Sequence, residues 1–193
     1  VVAADALLGE AQSQLLAEHV RSGGGLLLLA GERSTAEATN RRLLERLGSA
    51  RIRGLVEQSP GFVNLTDLRP TGILAGFGAR ELRALEAVKF TRYAELVPGT
   101  TARSVLALSG GVPALIEGEL GAGKYMVYAF DAGLDGSDLA VSTMFLPLVH
   151  RSVVYLAGET GRQKHDYTVG ERLEVQVPLG PAAGAAAEPG AAA

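Results

Sequence analysis

The sequence predicts a three-layer α/β domain, a parallel sheet between helices with an added antiparallel meander. Residues 1–48 alternate short apolar runs with segments of helical spacing, in the order strand, helix, strand, helix, which argues for parallel strands joined by crossovers. Residues 103–130 instead hold three short apolar runs separated by tight glycine turns, the pattern of a meander. With 47% hydrophobic and 20% charged residues in a chain of 193, there is enough apolar material for a core, built mainly from Leu, Val and Ala because aromatics are only 5%.

Taken in order, Val1–Ala4 is a buried strand ending at Asp5. Gly9 to Ser22 has Ala11, Leu15, Leu16 and Val20 at helical spacing, and Gly23-Gly24-Gly25 stops it, the first glycine fitting the left-handed position past a helix end. Leu26–Ala30 is continuously apolar, as in a strand covered on both faces. Ser34-Thr35-Ala36-Glu37 has capping-box spacing and opens a helix carrying Leu43, Leu44 and Leu47 before Gly48. In the middle, Ile52–Glu57, Gly61–Leu68 and Val88–Leu96 have strand character, and Gly72–Gly78 reads as a loop with a short helical turn. The meander follows as Ser104–Leu108, Ala114–Leu120 and Tyr125–Phe130. After the Asp131–Asp138 loop comes an apolar helix with Met144, Phe145, Leu148, Val149, Ser152, Val153 and Leu156 at helical spacing. Tyr167–Val177 is one more strand, and Pro181–Ala193 is linker-like.

Several function classes fall away on composition. The absence of cysteine excludes a thiolate nucleophile, a disulfide and a thiolate metal site. A formal net charge of -3 with no run of Lys and Arg gives no nucleic-acid surface. The apolar stretch Leu139–Ala157 carries Pro147, His150 and Arg151 near its middle, so it reads as a buried helix and no membrane span is expected here. The opening Val1-Val2-Ala3-Ala4-Asp5 has neither a start Met nor a basic leader, the expectation for a chain that begins inside a longer protein.

The order of landmarks resembles a known family. His19-Val20-Arg21-Ser22-Gly23-Gly24-Gly25 followed by Leu26–Gly31 is similar to the block of helix, glycine triplet, apolar strand and glycine in class I glutamine-amidotransferase-like domains. Val112–Glu117, Gly121–Phe130 and Phe145–His150 extend the likeness, which runs from about Val1 to Gly170. The combination resembles the C-terminal part of aerotolerance-type bacterial membrane proteins, which have N-terminal paired transmembrane helices and a von Willebrand factor A domain. The resemblance implies a flavodoxin-like (amidotransferase-like) fold. It also implies a place in the cell envelope, on the periplasmic face of the inner membrane, with other domains of the same protein or envelope proteins as partners. Family members with activity carry a Cys after the apolar strand and His-Pro-Glu after a late strand. Here those places hold Ala30-Gly31-Glu32 and Asp131-Ala132-Gly133. Nucleophile, base and orienting carboxylate are missing, so no catalytic residue is assigned.

The remaining motifs are weighed against structural roles. Gly118–Lys124 fits phosphate-loop spacing, but Tyr125 replaces the magnesium-binding hydroxyl and a strand follows, so a hairpin turn is expected. Asp131, Asp135, Ser137 and Asp138 fit no calcium loop, and Ser137 or Asp138 is expected to cap the next helix. His19, His150 and His165 are too dispersed for a metal site, and Ser13, Ser109 and Ser142 lack a nucleophile elbow. The Gly31–Thr35 turn is the best ligand candidate, since open α/β sheets bind ligands at such strand ends. Gly31, Glu32, Arg33, Ser34 and Thr35, with Asp131 across the sheet, would hold a small anion.

These readings give a domain over 1–165, an extra strand at 166–180 where a following domain would start, and a tail at 181–193. The expected role is non-catalytic interaction or scaffolding, without cofactor or metal. A small-anion module at Gly31–Thr35 is the alternative, and a hydrolase using the Asp131–Asp138 loop ranks last.

Overall fold

The end of the first helix organises the sheet. In the computed structural model, which describes residues 2–4, 9–30, 36–48, 50–58 and 60–158, α1 (Glu10–Arg21) closes on the expected glycines. The Gly23 amide donates to Val20 O (3.0 Å) and the Gly24 amide to His19 O (2.9 Å), the paired bonds of a Schellman motif. Gly23 has φ +108°, a region costly for a side chain with a Cβ. The chain then enters β2 (Gly25–Leu29), whose Leu26, Leu27 and Leu28 are fully buried. β1 (Val2–Ala4) pairs parallel with β2.

The main sheet is mixed. Its order is β1-β2-β8-β7-β6-β4, with β4 (Leu65–Thr66), β6 (Ala102–Leu108), β7 (Val112–Leu120) and β8 (Gly123–Tyr128). β1-β2 and β2-β8 are parallel, whereas β8-β7, β7-β6 and β6-β4 are antiparallel. The expected meander is thus present, but it supplies half of the sheet and is no small addition to a parallel one. The phosphate-loop spacing resolves into the β7–β8 hairpin, with Leu120 opposite Gly123 and a positive φ (+63°) at Gly121. Gly25 lies in register with Lys124, and a Cβ on Gly25 would meet Leu156, while one on the adjacent Gly123 would strike the Val20 carbonyl. α1 and α5 (Phe145–Leu156) therefore meet opposite faces of this sheet.

A second, two-stranded ribbon pairs β3 (Ala50–Glu57) antiparallel with β5 (Arg92–Pro98). Before it, α2 (Ala36–Thr39), a π-helical turn Asn40–Leu44 and α3 (Glu45–Leu47) run on as one helix that buries Leu43, Leu44 and Leu47 and ends at Gly48 in the left-handed region. The middle departs most from expectation. Gly61–Leu68 contributes only the two residues of β4, and Val88–Leu96 becomes a strand only from Arg92, Phe90 making isolated bridges to Val63 and Ser137. α4 (Ala79–Glu86) follows the expected loop, in a stretch given no element from sequence; its turns are mostly charged and it buries only Leu85, so no broad apolar stripe marked it.

The apolar helix starts later than expected. Leu139–Val141 is a 3-10 turn, and α5 begins at Phe145 with Pro147 in its first turn, where no intrahelical amide is missed. Neither Ser137 nor Asp138 caps it. The Asp138 Oδ1 accepts the Lys89 amide (2.8 Å), and the loop is drawn sideways onto residues 89–92. α5 is anchored by Tyr128, whose hydroxyl donates to Ser152 Oγ (2.8 Å), that oxygen in turn donating to Leu148 O (2.8 Å). The described residues all fall within the unit Val1–Arg162. The strand expected at Tyr167–Val177 and the tail at 181–193 lie outside the described residues.

Replacing Gly23 with Val forces a branched side chain into left-handed backbone, and thermal melting should show a loss of about 1–2 kcal/mol. An unchanged melting temperature would mean that the helix end lies elsewhere.

Candidate functional site

The carboxyl ends of parallel strands are where open α/β sheets gather ligands, and β2 and β8 end side by side here. Ala30 N–H donates to Tyr128 O (3.0 Å), Ala129 N–H to Ala114 O (2.9 Å), and Ala94 N–H to Ala129 O (2.6 Å), so three segments converge on one rim. At that rim lies a cavity of about 20 Å³, bounded by Ala30, Arg92, Tyr93, Phe130, Asp131 and Ser137 among others. That is room for about one water.

The side chains around it are mostly engaged. Asp131 Oδ1 accepts the Gly133 amide (2.8 Å), an Asx turn that fixes the loop instead of presenting a free carboxylate. The Gly136 carbonyl accepts the amides of Thr91 (2.9 Å) and Arg92 (3.1 Å), and Arg92 lies 3.9 Å from Glu57. Phe130 stacks with Phe90 at 4.7 Å and Tyr128 at 5.1 Å between centroids, giving an apolar floor. Ser137 is 7% exposed and lines the cavity as well. No histidine, lysine or cysteine lines the cavity, so the described lining holds no nucleophile paired with a base.

Of the six ligand residues expected from sequence, only Asp131 is on view. Gly31, Glu32, Arg33, Ser34 and Thr35 lie outside the described residues, although Ala30, just before them, borders the cavity. His19 packs its ring against Gly24 and His150 is exposed on α5, so the two described histidines do not converge. No group of three potential metal ligands occurs among the described residues.

Sequence reasoning missed a charged cluster on the opposite half of the sheet. Glu117, in the centre of β7, has a side chain only 6% exposed. Its Oε2 accepts Arg103 Nε (3.1 Å) and Nη2 (2.7 Å), and its Oε1 accepts the Tyr155 hydroxyl (2.7 Å), with Lys124 Nζ at 3.8 Å. Burial raises the Tyr155 pKa, and the bond to the Glu117 carboxylate and its charge raise it further. The bond to Glu117 and its negative charge likewise raise Arg103. The signal was present as one acid directly after the apolar run Val112–Ile116, but naming its partners required the β6–β7 register that places Arg103 opposite it. The cluster satisfies a buried carboxylate and ties α5 to the sheet.

No family model and no curated protein matches this chain. Among solved structures it is similar to the cytoplasmic protein STM3548 from Salmonella typhimurium, with a TM-score of 0.64 and 20% identity over 80% of this chain and 70% of that one. The cytoplasmic protein STM1381 from Salmonella typhimurium LT2 gives 0.58 and 21% over 84% and 71%. The cold-adapted β-galactosidase of Rahnella sp. R3 gives 0.55 and 13%, over 80% of this chain but only 22% of the enzyme. At these identities the likeness is one of fold.

Glu117→Ala removes the carboxylate to which the half-buried Tyr155 hydroxyl donates and should lower stability by about 1–3 kcal/mol in chemical denaturation. A double-mutant cycle with Tyr155→Phe then gives a coupling above about 0.5 kcal/mol; strict additivity would dissolve the cluster as a unit.

Tyr125 offers an alkaline test. Its buried hydroxyl has no partner, and burial pushes its pKa up to about 12. An unfolded tyrosine ionises at roughly 10, so the stability linked to its proton is fully present below that pH and is lost as pH rises towards 12. Tyr125→Phe should leave stability at pH 8 unchanged or raised by up to about 1 kcal/mol and flatten its decline above pH 10. An equally steep decline in the variant would refute the assignment.

Proposed function

We propose that this chain is a non-catalytic interaction or scaffolding domain of a membrane-anchored bacterial envelope protein, built on a flavodoxin-like, three-layer amidotransferase-like core. The observation that carries the interaction reading is the outer face of α5. Leu146 is 74% exposed and Val153 42% exposed, and His150 lies between them on the same helical face. Apolar side chains grouped on one exposed helix face lose hydration cost when another surface covers them. Helices on both sheet faces support the three-layer reading. The non-catalytic reading rests on the sequence, where the positions of the amidotransferase Cys and His-Pro-Glu hold Ala30-Gly31-Glu32 and Asp131-Ala132-Gly133.

The envelope placement rests on the sequence resemblance, and its partners would be other domains of the same protein or neighbouring envelope proteins. No helix among the described residues is long and apolar enough to cross a membrane, so anchoring would come from elsewhere in such a protein. A ligand-binding reading has one observation in its favour, the nearly buried Ser137 at the cavity. If it holds, inorganic phosphate raises the melting temperature by mass action and Ser137→Ala removes the effect.

Two measurements test the main reading. The purified protein should release no ammonia from glutamine, and turnover abolished by Asp131→Ala would end the non-catalytic assignment. In cells, a photocrosslinker at Leu146 should capture a discrete neighbour, while one at exposed Arg80 on α4 should not. Equal labelling from both positions would remove the special role of the α5 face.

A further inference from the structure

α5 carries one permanent charge, Arg151, and the fold turns it aside. Its guanidinium lies 5.9 Å over the Phe77 ring and fills the space beside Gly76, where a Cβ would strike it. The helical backbone continues through Ala157 (φ -72°, ψ -4°). At about 3.6 residues per turn, Leu146, His150, Val153 and Ala157 share an arc of about 60°, and Arg151 lies roughly 130° from its middle. All four are exposed, whereas Ser152 and Tyr155, which reach the sheet, lie on the opposite side. The steps of four, three and four residues are those of a heptad seam, the spacing by which one helix packs along another. Pro147, Val149 and Val154, which flank the seam, are uncharged as well.

We propose, on the interaction reading above, that this seam pairs with the α5 of a second copy of this chain, antiparallel about a two-fold axis between His150 and Val153. A face without fixed charge offers an unlike partner no electrostatic mark to recognise, whereas the seam matches itself. In the antiparallel arrangement Leu146, the bulkiest aliphatic residue of the seam, lies opposite Ala157 of the other copy, the smallest. His150 lies opposite Val153 of the other copy, so every layer sets a larger side chain against a smaller one. Parallel pairing would instead set Leu146 against Leu146 and Ala157 against Ala157, crowding one end and leaving a gap at the other. Four seam positions cover a small area, so the dimer belongs to the weak, concentration-dependent class.

Sedimentation velocity from low to high micromolar concentration is the first test. Wild type should pass from monomer to dimer, and Val153→Glu, which puts a carboxylate into the seam, should weaken association at least about tenfold. His150→Lys should do the same. The double variant should regain the dimer, because each new ammonium then faces the other copy's new carboxylate. The chain has no cysteine, so oxidation reports only on introduced thiols. Leu146→Cys mixed with Ala157→Cys should give a disulfide-linked dimer, whereas Leu146→Cys alone should not, its two thiols lying roughly 16 Å apart along the helices. Circular dichroism checks that each variant folds, and the cysteine pair carries the test if a charged variant does not. A monomer at every concentration overturns the second copy; a photocrosslinker at Leu146 that still captures another protein would then leave the interaction reading standing. A dimer indifferent to both charged variants, or one in which Leu146→Cys links to itself, equally overturns the proposal.

Discussion

The last carbonyls of α1 are the contact on which the arrangement of the sheet depends. Two of them, of His19 and Val20, are closed off by the Schellman glycines, and the Arg21 carbonyl accepts the Ala122 amide (3.1 Å) from the tip of the β7–β8 hairpin. The hairpin reaches that far only because Gly123 has no Cβ to strike the Val20 and Gly24 carbonyls. Helix end, start of β2 and start of β8 are thereby locked at one level. The parallel register Gly25 to Lys124 follows from this as much as from the apolar runs of the strands. Such contacts between backbone atoms tolerate little displacement, since a shift of one residue would exchange the faces of Tyr125 and Met126.

The two halves of the sheet solve different problems. The β2-β8 pair has strands covered on both faces, with Leu26, Leu27 and Leu28 and Tyr125, Met126, Val127 and Tyr128 buried in succession. The β7-β6 half carries charge at Glu117 and Arg103, and the buried carboxylate is tolerable because Arg103, Tyr155 and Lys124 surround it. Tyr155 and Ser152 both lie on α5, so that helix is fixed to β7 and β8 through hydroxyls as well as by packing. This leaves Leu146 and Val153 on the solvent-facing side of the helix.

Much of this was legible in the sequence because it is local. The α1 stop at Gly23, the strand Leu26–Leu29, the buried Leu43, Leu44 and Leu47, and the three meander strands all follow from periodicity and turn chemistry over a few residues. What stayed hidden depends on neighbours distant in the chain. α4 has too narrow an apolar face to announce itself, and Asp138 looked like a helix cap because its actual partner, Lys89 N–H, is remote in sequence. The Glu117 cluster needed cross-strand register, and the carboxamide bond of Asn40 to Ile52 needed a π turn that no pattern encodes. Of the residues expected at the candidate site, Asp131 is the one described, and its carboxylate stabilises its own loop.

The mixed sheet also dictates an order of assembly. The β6–β7 and β7–β8 pairs are joined by turns of a few residues, so their closure entropy is small. The β2–β8 pair joins segments about a hundred residues apart, Gly25 against Lys124, and this closure must wait until the intervening chain has collapsed. β8 belongs to both pairs. Until β2 arrives, the meander presents the unpaired backbone edge of β8 to solvent, and the speed of that single long-range docking sets how long the nascent chain is exposed to misassociation.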